Sequence, residues 1–445
     1  MRNPPRGTEG ATPQMAESTA LWAGPIEVEV GRGGADAARR WLDAAAAPLD
    51  QLARDRLVDL AAEARLVLLG ESTHGTSEFY TLRGEITRAL IERGEISFVA
   101  VEGDWSALAL LNAYVRGDEM STGHGDAASI MSTFARWPVW MWANEEFADF
   151  VEWLHTWNAA LPVEDRVGLH GLDVYDAGAS GAFLMRTLRE VDGAPLYPCM
   201  RRFWSDRRAY ARALEQGQPS CESEVRATYD AFVEGNAPWM EDVADDERFE
   251  VIFNALVLKG AERHYRSFAT RGGAEGWNSR ASFFFRATLA LLEWYGADAR
   301  GIVWAHNTHV GDARATSMAT QGQVNLGQEA REALPDETFV LGFATIEGEV
   351  MAGTRWGEAP QVMPVPRPHD PSTWDAILAE IRDDDWAVVF RGTTPPDALR
   401  ETRAQRAIGV IYAPASGGAW VETQLAARYD ALIVLQQSVA LNAIP

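Results

Sequence analysis

Three short clusters carry the side chains best suited to acid–base chemistry. Glu71-Ser72-Thr73-His74 follows the apolar run Leu66-Val67-Leu68-Leu69-Gly70, Glu102-Gly103-Asp104 follows Phe98-Val99-Ala100-Val101, and His306-Asn307-Thr308-His309 follows Gly301-Ile302-Val303-Trp304-Ala305. An imidazole titrates near neutral pH, and a carboxylate beside it fixes its tautomer or shares its proton. Two chemistries suit such a set. In the first, His74 is a general base that activates water while Glu71 or Glu102 orients it or supplies a proton, help typically worth about 10²–10⁴ in rate. A buried arginine would then hold a developing oxyanion, and Arg83 is the candidate. In the second, His74 and His306 or His309, with a carboxylate such as Glu102, bind a metal, since mixed His/carboxylate sets hold zinc or manganese. The residues therefore allow either no cofactor or a divalent metal.

The elements around these clusters place them together. Short apolar runs that stop at glycine or a polar cluster read as buried strands. Residues 77–93 put Phe79, Leu82, Ile86 and Leu90 on one helical stripe, and Gly94 ends it. Strand, helix, strand, helix implies a parallel sheet, whose ligands bind at the carboxyl ends of its strands. From 117 to 295 the chain reads as mainly helical and aromatic-rich, interrupted by one strand, 167–172, followed by Asp173 and Tyr175. Further strands are expected at 301–305, 338–343, 386–390, 407–412 and 431–435.

The expected fold is α/β, a mostly parallel central sheet flanked by helices, with a large helical insertion forming a cleft. Its parts are a mobile tail over 1–25, a core from 26–116 and 296–445, and a helical lobe over 117–295. Trp137, Trp140 and Trp142 either line an apolar cleft for a bulky substrate or pack as ordinary core. Glu145, just beyond, is a candidate for contact with a ligand amine.

Composition narrows the partners to small molecules. The 445 residues carry 40 basic and 64 acidic side chains, a formal charge of -24. Nucleic acids and anionic membranes call for a basic footprint, which this chain lacks; its field favours a cationic ligand. No apolar run is long enough to span a bilayer. The two cysteines, Cys199 and Cys221, have neither metal nor redox spacing and make no disulfide framework. With no apolar signal core near the N-terminus, the expectation is a cytoplasmic protein. G-x-S-x-G, H-E-x-x-H, Walker A and a G-x-G-x-x-G after a strand are all absent.

Several motifs, in order over roughly 30–440, resemble the erythromycin esterase family. They are Gly70-Glu-Ser-Thr-His-Gly75 with Glu78, Val101-Glu-Gly-Asp104, Gly171-Leu-Asp-Val-Tyr175, Ala261-Glu-Arg-His-Tyr265, Trp277-Asn278, Trp304-Ala-His-Asn-Thr-His309 and Val324-Asn-Leu-Gly-Gln328. The resemblance implies an α/β core with a helical lobe, and hydrolysis of a macrolide lactone by water without a covalent acyl-enzyme. It implies that His74, Glu71, Glu102 and Arg83 are the essential residues and that the distal histidine is His306 or His309. The family also includes proteins labelled for succinoglycan biosynthesis, so the alternatives are a biosynthetic acid–base reaction in the same cleft, or a metal- or ligand-binding protein without esterase activity. Where family members often carry Arg-Asp-x-His, this chain has Arg280-Ala281-Ser282-Phe283. Arg280 stays a candidate for substrate binding, with His309, Asp104, Trp137, Trp142, Glu145 and Tyr175.

Overall fold

A computed structural model describes residues 34–94, 96–118, 123, 125–187, 197–204, 206–233, 245–270, 273–414 and 419–445. The expected tail, 1–25, lies outside them. Eleven strands are described: β1 (Ala47–Pro48), β2 (Leu66–Leu69), β3 (Phe98–Asp104), β4 (Gly168–Asp173), β5 (Gly301–Trp304), β6 (Thr338–Ala352), β7 (Gln361–Val365), β8 (Trp386–Val389), β9 (Thr402–Arg406), β10 (Trp420–Gln424) and β11 (Ala431–Ser438). The main sheet runs β1-β8-β11-β6-β2-β5-β3-β4, with β7 hydrogen-bonded to β6. The six strands from β11 to β4 are mutually parallel, while β1, β7 and β8 pair antiparallel. The fold is thus α/β with a mostly parallel central sheet.

Strand β2 shows why both faces are covered. All four of its side chains are buried. Successive side chains point to opposite faces, so Val67 and Leu69 enter a layer with Phe79, Ile86 and Leu90, while Leu66 and Leu68 enter another with Phe284, Leu291 and Leu326. Each such leucine removed from water contributes roughly 1.5–3 kcal/mol.

The helix Ser77–Glu92 carries the chain from β2 to β3 on the first face. The segment after β5, with Leu326 and Ala330, returns to β6 on the second face. Adjacent parallel strands β2 and β5 therefore send their connections apart, on opposite faces. A crevice opens outside the carboxyl ends of strands at such a point, and these two ends carry Glu71–His74 and His306–His309.

The inserted segment divides differently from the expected lobe over 117–295. Helices Ala127–Met131 and Glu145–Ala159 pack on the sheet beside Phe79 and Leu108, and β4 joins the sheet next to β3. A separate apolar cluster forms only beyond Ala177, from helices Ala177–Thr187, Arg207–Glu215, Glu222–Val233 and Asp245–Thr270. A disulfide joins Cys199 to Cys221 there. It removes one ground for expecting a reducing medium, since such bonds persist mainly in oxidising compartments. No described helix is long and apolar enough to cross a membrane.

Two strand expectations need correction. Residues 407–412 are not a strand of the sheet; they follow β9 as irregular backbone that bridges Thr73 at Ile408 and Gly353 at Ile411. Strand β6 continues past 343 to Ala352, because its far half pairs with β7.

Candidate active site

The turn after β2 is held by close backbone approaches. A Cβ on Gly70 would lie 2.1 Å from Asn307 Oδ1, and one on Gly75 would lie 1.9 Å from the Met351 carbonyl oxygen. Only glycine fits at either position, so the loop between them is pressed against the β5 end on one side and β6 on the other. Asn307 is fixed in turn, its side-chain amide donating to the Phe343 carbonyl at 2.7 Å.

Within that loop His74 Nδ1 lies 2.7 Å from Glu71 Oε1. The other Glu71 oxygen accepts from Arg83 Nη2 at 2.7 Å. Glu71 and Arg83 are fully buried. The helix supplies Arg83 because Phe79 and Arg83 are one turn apart on its buried face, and Arg83 Nε donates back to the Phe79 carbonyl at 3.2 Å. The guanidinium rests on the rings of Tyr80 and Trp304, 4.6 and 5.0 Å from their centroids. Arg83 thus holds Glu71 from behind. Its Nε and Nη2 are committed to Phe79 and Glu71, while Nη1 is buried without a hydrogen-bond partner.

The second half of the site faces the first across two imidazoles. The His74 and His306 rings lie 4.8 Å apart, tilted by 45°. His306 caps the short helix Asn307–Val310, its Nδ1 accepting from the Thr308 amide at 3.2 Å. That bond leaves the ring proton on Nε2. His306 Nε2 is buried and has no hydrogen-bond partner.

Glu102 links this half together. Its Oε2 accepts from the His306 amide at 2.9 Å, and its Oε1 accepts from Arg280 Nη2 at 3.0 Å and lies 3.2 Å from His309 Nε2. Helix Gly273–Tyr295 provides Arg280 on the face it shares with Trp277 and Phe284, three residues before and four after. Trp277 stacks on His309 at 4.7 Å, and Phe284 packs 5.0 Å from the same ring. Asp173, at the end of β4, clamps Arg280 with bonds of 2.9 and 2.7 Å. Sequence reasoning missed Asp173 as a site residue, although it follows an apolar strand as Glu71 and Glu102 do.

Electrostatics push the two facing rings apart. Burial alone would lower the His74 pKa, but the hydrogen bond it donates to Glu71 and the charges of Glu102 and Glu71 outweigh it and raise the value above 6.5. His306 goes well below 6.5, through burial and then the neighbouring charge of His74. Burial would raise the Glu102 carboxyl, yet His309, His74 and Arg280 hold it well below the usual range. Pairs of titratable groups driven in opposite directions mark acid and base partners.

The remaining candidates fall at different distances from these groups. Asp104 pairs with Arg136 at the end of β3, and burial lifts its pKa to about 6. Tyr175 lies under both Arg136 and Arg280, at 4.7 and 5.2 Å. Trp142 is core: its indole donates to the Glu102 carbonyl at 2.8 Å and packs edge-on against Tyr80. Trp137 is half-buried and packs at a tilt against Trp356. Glu145 is exposed on the first turn of its helix, where its amide donates to the Asn442 carbonyl. Ala281 and Phe283, which depart from the family pattern, are both buried, Phe283 in the apolar layer against Gly260.

The proposed metal ligands do not converge. Among the described residues, one set of three His, Cys, Asp or Glu side chains has ligand atoms within 4.8 Å of one another, and it is Cys199, Cys221 and Glu224, not His74, Glu102 and His306. The Arg280 guanidinium on Glu102 also opposes a cation at that carboxylate.

The fold is an α/β protein that gathers these His, Glu and Arg side chains at the carboxyl ends of adjacent parallel strands. A family model described as erythromycin esterase matches residues 91–438. The chain belongs to the erythromycin esterase family. Glu71, His74 and Arg83 lie ahead of the matched segment and join the site through the fold. Three solved structures are similar. A succinoglycan biosynthesis protein is 16% identical, with a TM-score of 0.72 over 93% of this chain and 99% of that one. A protein from Bacillus cereus is 18% identical, with a TM-score of 0.73 over 92% and 99%. A mutant of erythromycin esterase EreC in its open conformation is 14% identical, with a TM-score of 0.65 over 88% and 95%.

Proposed function

We propose that this protein hydrolyses a carboxylic ester or lactone, macrolide-like in its bulk, with water activated by His74. The observation that carries the reading is the pair of facing imidazoles, one backed by a buried carboxylate and raised in pKa, the other lowered with an unpartnered buried Nε2–H. With Nδ1 committed to Glu71, His74 takes the water proton through Nε2 as the oxygen attacks the acyl carbon. Glu71 stabilises the imidazolium so formed, and Arg83 keeps Glu71 in place. His306 Nε2–H donates to the carbonyl oxygen as it gains charge, the task of an oxyanion-hole donor. His74 then returns the proton to the leaving alkoxide, giving acid and alcohol.

Glu102 positions His306 through its amide, and Arg280, Asp173, His309 and Trp142 hold Glu102. Asp104, Tyr175 and Trp137 meet the substrate at the mouth, where the acidic field suits a cationic one. The test is mass spectrometry of erythromycin and simple lactones incubated with wild type and His74→Ala. A gain of one water with wild type alone is expected. Equal conversion by folded His74→Ala would sink the mechanism. Ring closure in place of opening would favour the biosynthetic reading of the same cleft.

A further inference from the structure

Trp356 lies in the connection between β6 and β7 and is 56% exposed. Large exposed aromatics on a highly charged surface mark binding sites when they form a built patch. This one is built. The Trp356 ring meets Trp137 from the other side of the chain, with centroids 4.6 Å apart and planes at 54°. Trp137 is anchored by its indole N–H to the Glu358 carbonyl at 2.8 Å, and a Cβ on Gly353 would come within 3.0 Å of its ring. Gly353 is itself held by Val410 and Tyr412 backbone groups at 2.9 and 3.0 Å.

The chain ties these two tryptophans to both halves of the site. On one side, Met351 donates its amide to the Gly75 carbonyl at 2.9 Å, beside His74, and the His74 amide donates to the Ile408 carbonyl. Trp356 is five residues beyond Met351, a span of at most about 18 Å. On the other side, Arg136, next to Trp137, pairs with Asp104, two residues from Glu102. The aromatic pair therefore stands at the mouth of the site, between the loop of His74 and the end of β3.

We propose that Trp356 and Trp137 form a specificity platform that stacks the apolar face of a saturated ring, a sugar or macrocycle, carried by the ester substrate. The proposal rests on the hydrolase reading above and adds the residue that selects ring-bearing esters over short ones. Two flat indoles at a tilt present the wide apolar faces that the C–H face of such a ring needs, and the open rim leaves room for its hydroxyls in water.

Two measurements test it. The first compares kcat/KM for erythromycin and for p-nitrophenyl acetate in wild type, Trp356→Ala and Trp356→Phe. The ratio of the two constants falls about tenfold in Trp356→Ala, the size of a lost aromatic contact, and Trp356→Phe keeps most of it. The second measures the erythromycin Kd by tryptophan quenching with His74→Ala and with His74→Ala/Trp356→Ala, where binding needs no turnover. A matching weakening supports the platform. An unchanged ratio and Kd, or no erythromycin binding by His74→Ala, overturns it. If wild type turns over neither ester while the Kd still weakens, the hydrolase reading fails and the platform stands.

Discussion

Glu71→Gln separates the chemistry of the dyad from its packing. The change is nearly isosteric, but it puts a neutral amide 2.7 Å from both His74 Nδ1 and Arg83 Nη2. Two losses follow. The His74 imidazolium loses its hydrogen-bonded anion, and the amide N–H can donate to Nδ1, moving the ring proton to Nε2 where it blocks base catalysis. An amide in the carboxylate position of a His–carboxylate pair costs about 10⁴ in kcat in serine proteases. We expect a fall of about 10³–10⁴ in kcat here, with KM within a few-fold. The pH profile moves as well. In wild type, His74 must be deprotonated to act, and its pKa is raised, so kcat/KM rises with pH through a value above 6.5. Without the Glu71 bond and charge that pKa drops, and the acid limb shifts to lower pH.

The stability loss is a separate quantity. Arg83 is fully buried, and stranding a buried charge costs about 3–5 kcal/mol. Glu71→Gln/Arg83→Met removes the stranded charge and should recover much of the melting temperature without recovering activity. The assay is hydrolysis of erythromycin or an activated ester from pH 5 to 9, with thermal melts of each variant. Folded Glu71→Gln with kcat within tenfold of wild type, or with an unmoved acid limb, would refute the reasoning.

Two further outcomes are expected. His306→Ala should lower kcat by about 10²–10³, the range for one oxyanion donor, with little change in KM; a purely structural role for the ring would instead show as a lowered melting temperature at near-normal kcat. His170 is buried between Trp105 and Tyr295, and burial drops its pKa from 6.5 to about 3. Because the unfolded chain binds the proton more readily, this group's contribution is full above pH 6.5 and is lost as pH falls toward 3, a total on the order of 5 kcal/mol. Urea titrations at pH 7 and pH 4 should therefore differ less for His170→Phe than for wild type, and an equal difference would count against that account.

Strand ends were the legible part of this chain. Apolar runs that break into Glu71–His74, Glu102–Asp104 and His306–His309 mark both the strand and the edge where its polar groups emerge, and the sheet does gather them. Arg280 and Asp173 were harder to read. Arg280 reaches the site from a helix some 180 residues after Glu102 in the chain, a separation of 178, and helical spacing cannot tell which face will meet a strand end. Trp137 and Trp142 show the same limit. They are five residues apart, yet one packs under Glu102 and the other stands at the rim, because the backbone between them turns through a short 3-10 helix, Val139–Met141. The strand expected at 407–412 failed for a related reason: its backbone makes only single bridges to Thr73 and Gly353, while Ile408 and Tyr412 pack against β6 and β7, contacts that alternation does not encode.

The acid–base assignment depends on what lies one bond behind each imidazole. His74 and His306 have the same side chain and lie with ring centroids 4.8 Å apart, so their mutual repulsion disfavours both being charged imidazolium at once. The choice is made by Glu71, whose anion is itself kept buried by Arg83 and supports a charged His74. It is reinforced by Thr308, whose amide occupies His306 Nδ1 and would have to be released for that ring to become doubly protonated. Glu102 could upset this balance, since it lies near both histidines, but Arg280 shares its charge and Asp173 fixes Arg280 in turn. The base is therefore set on one half of the site and the neutral donor on the other. The family departure at Ala281 and Phe283 leaves that division intact, because Phe283 packs in the apolar layer and Ala281 is buried, while Arg280 alone of the three reaches His309.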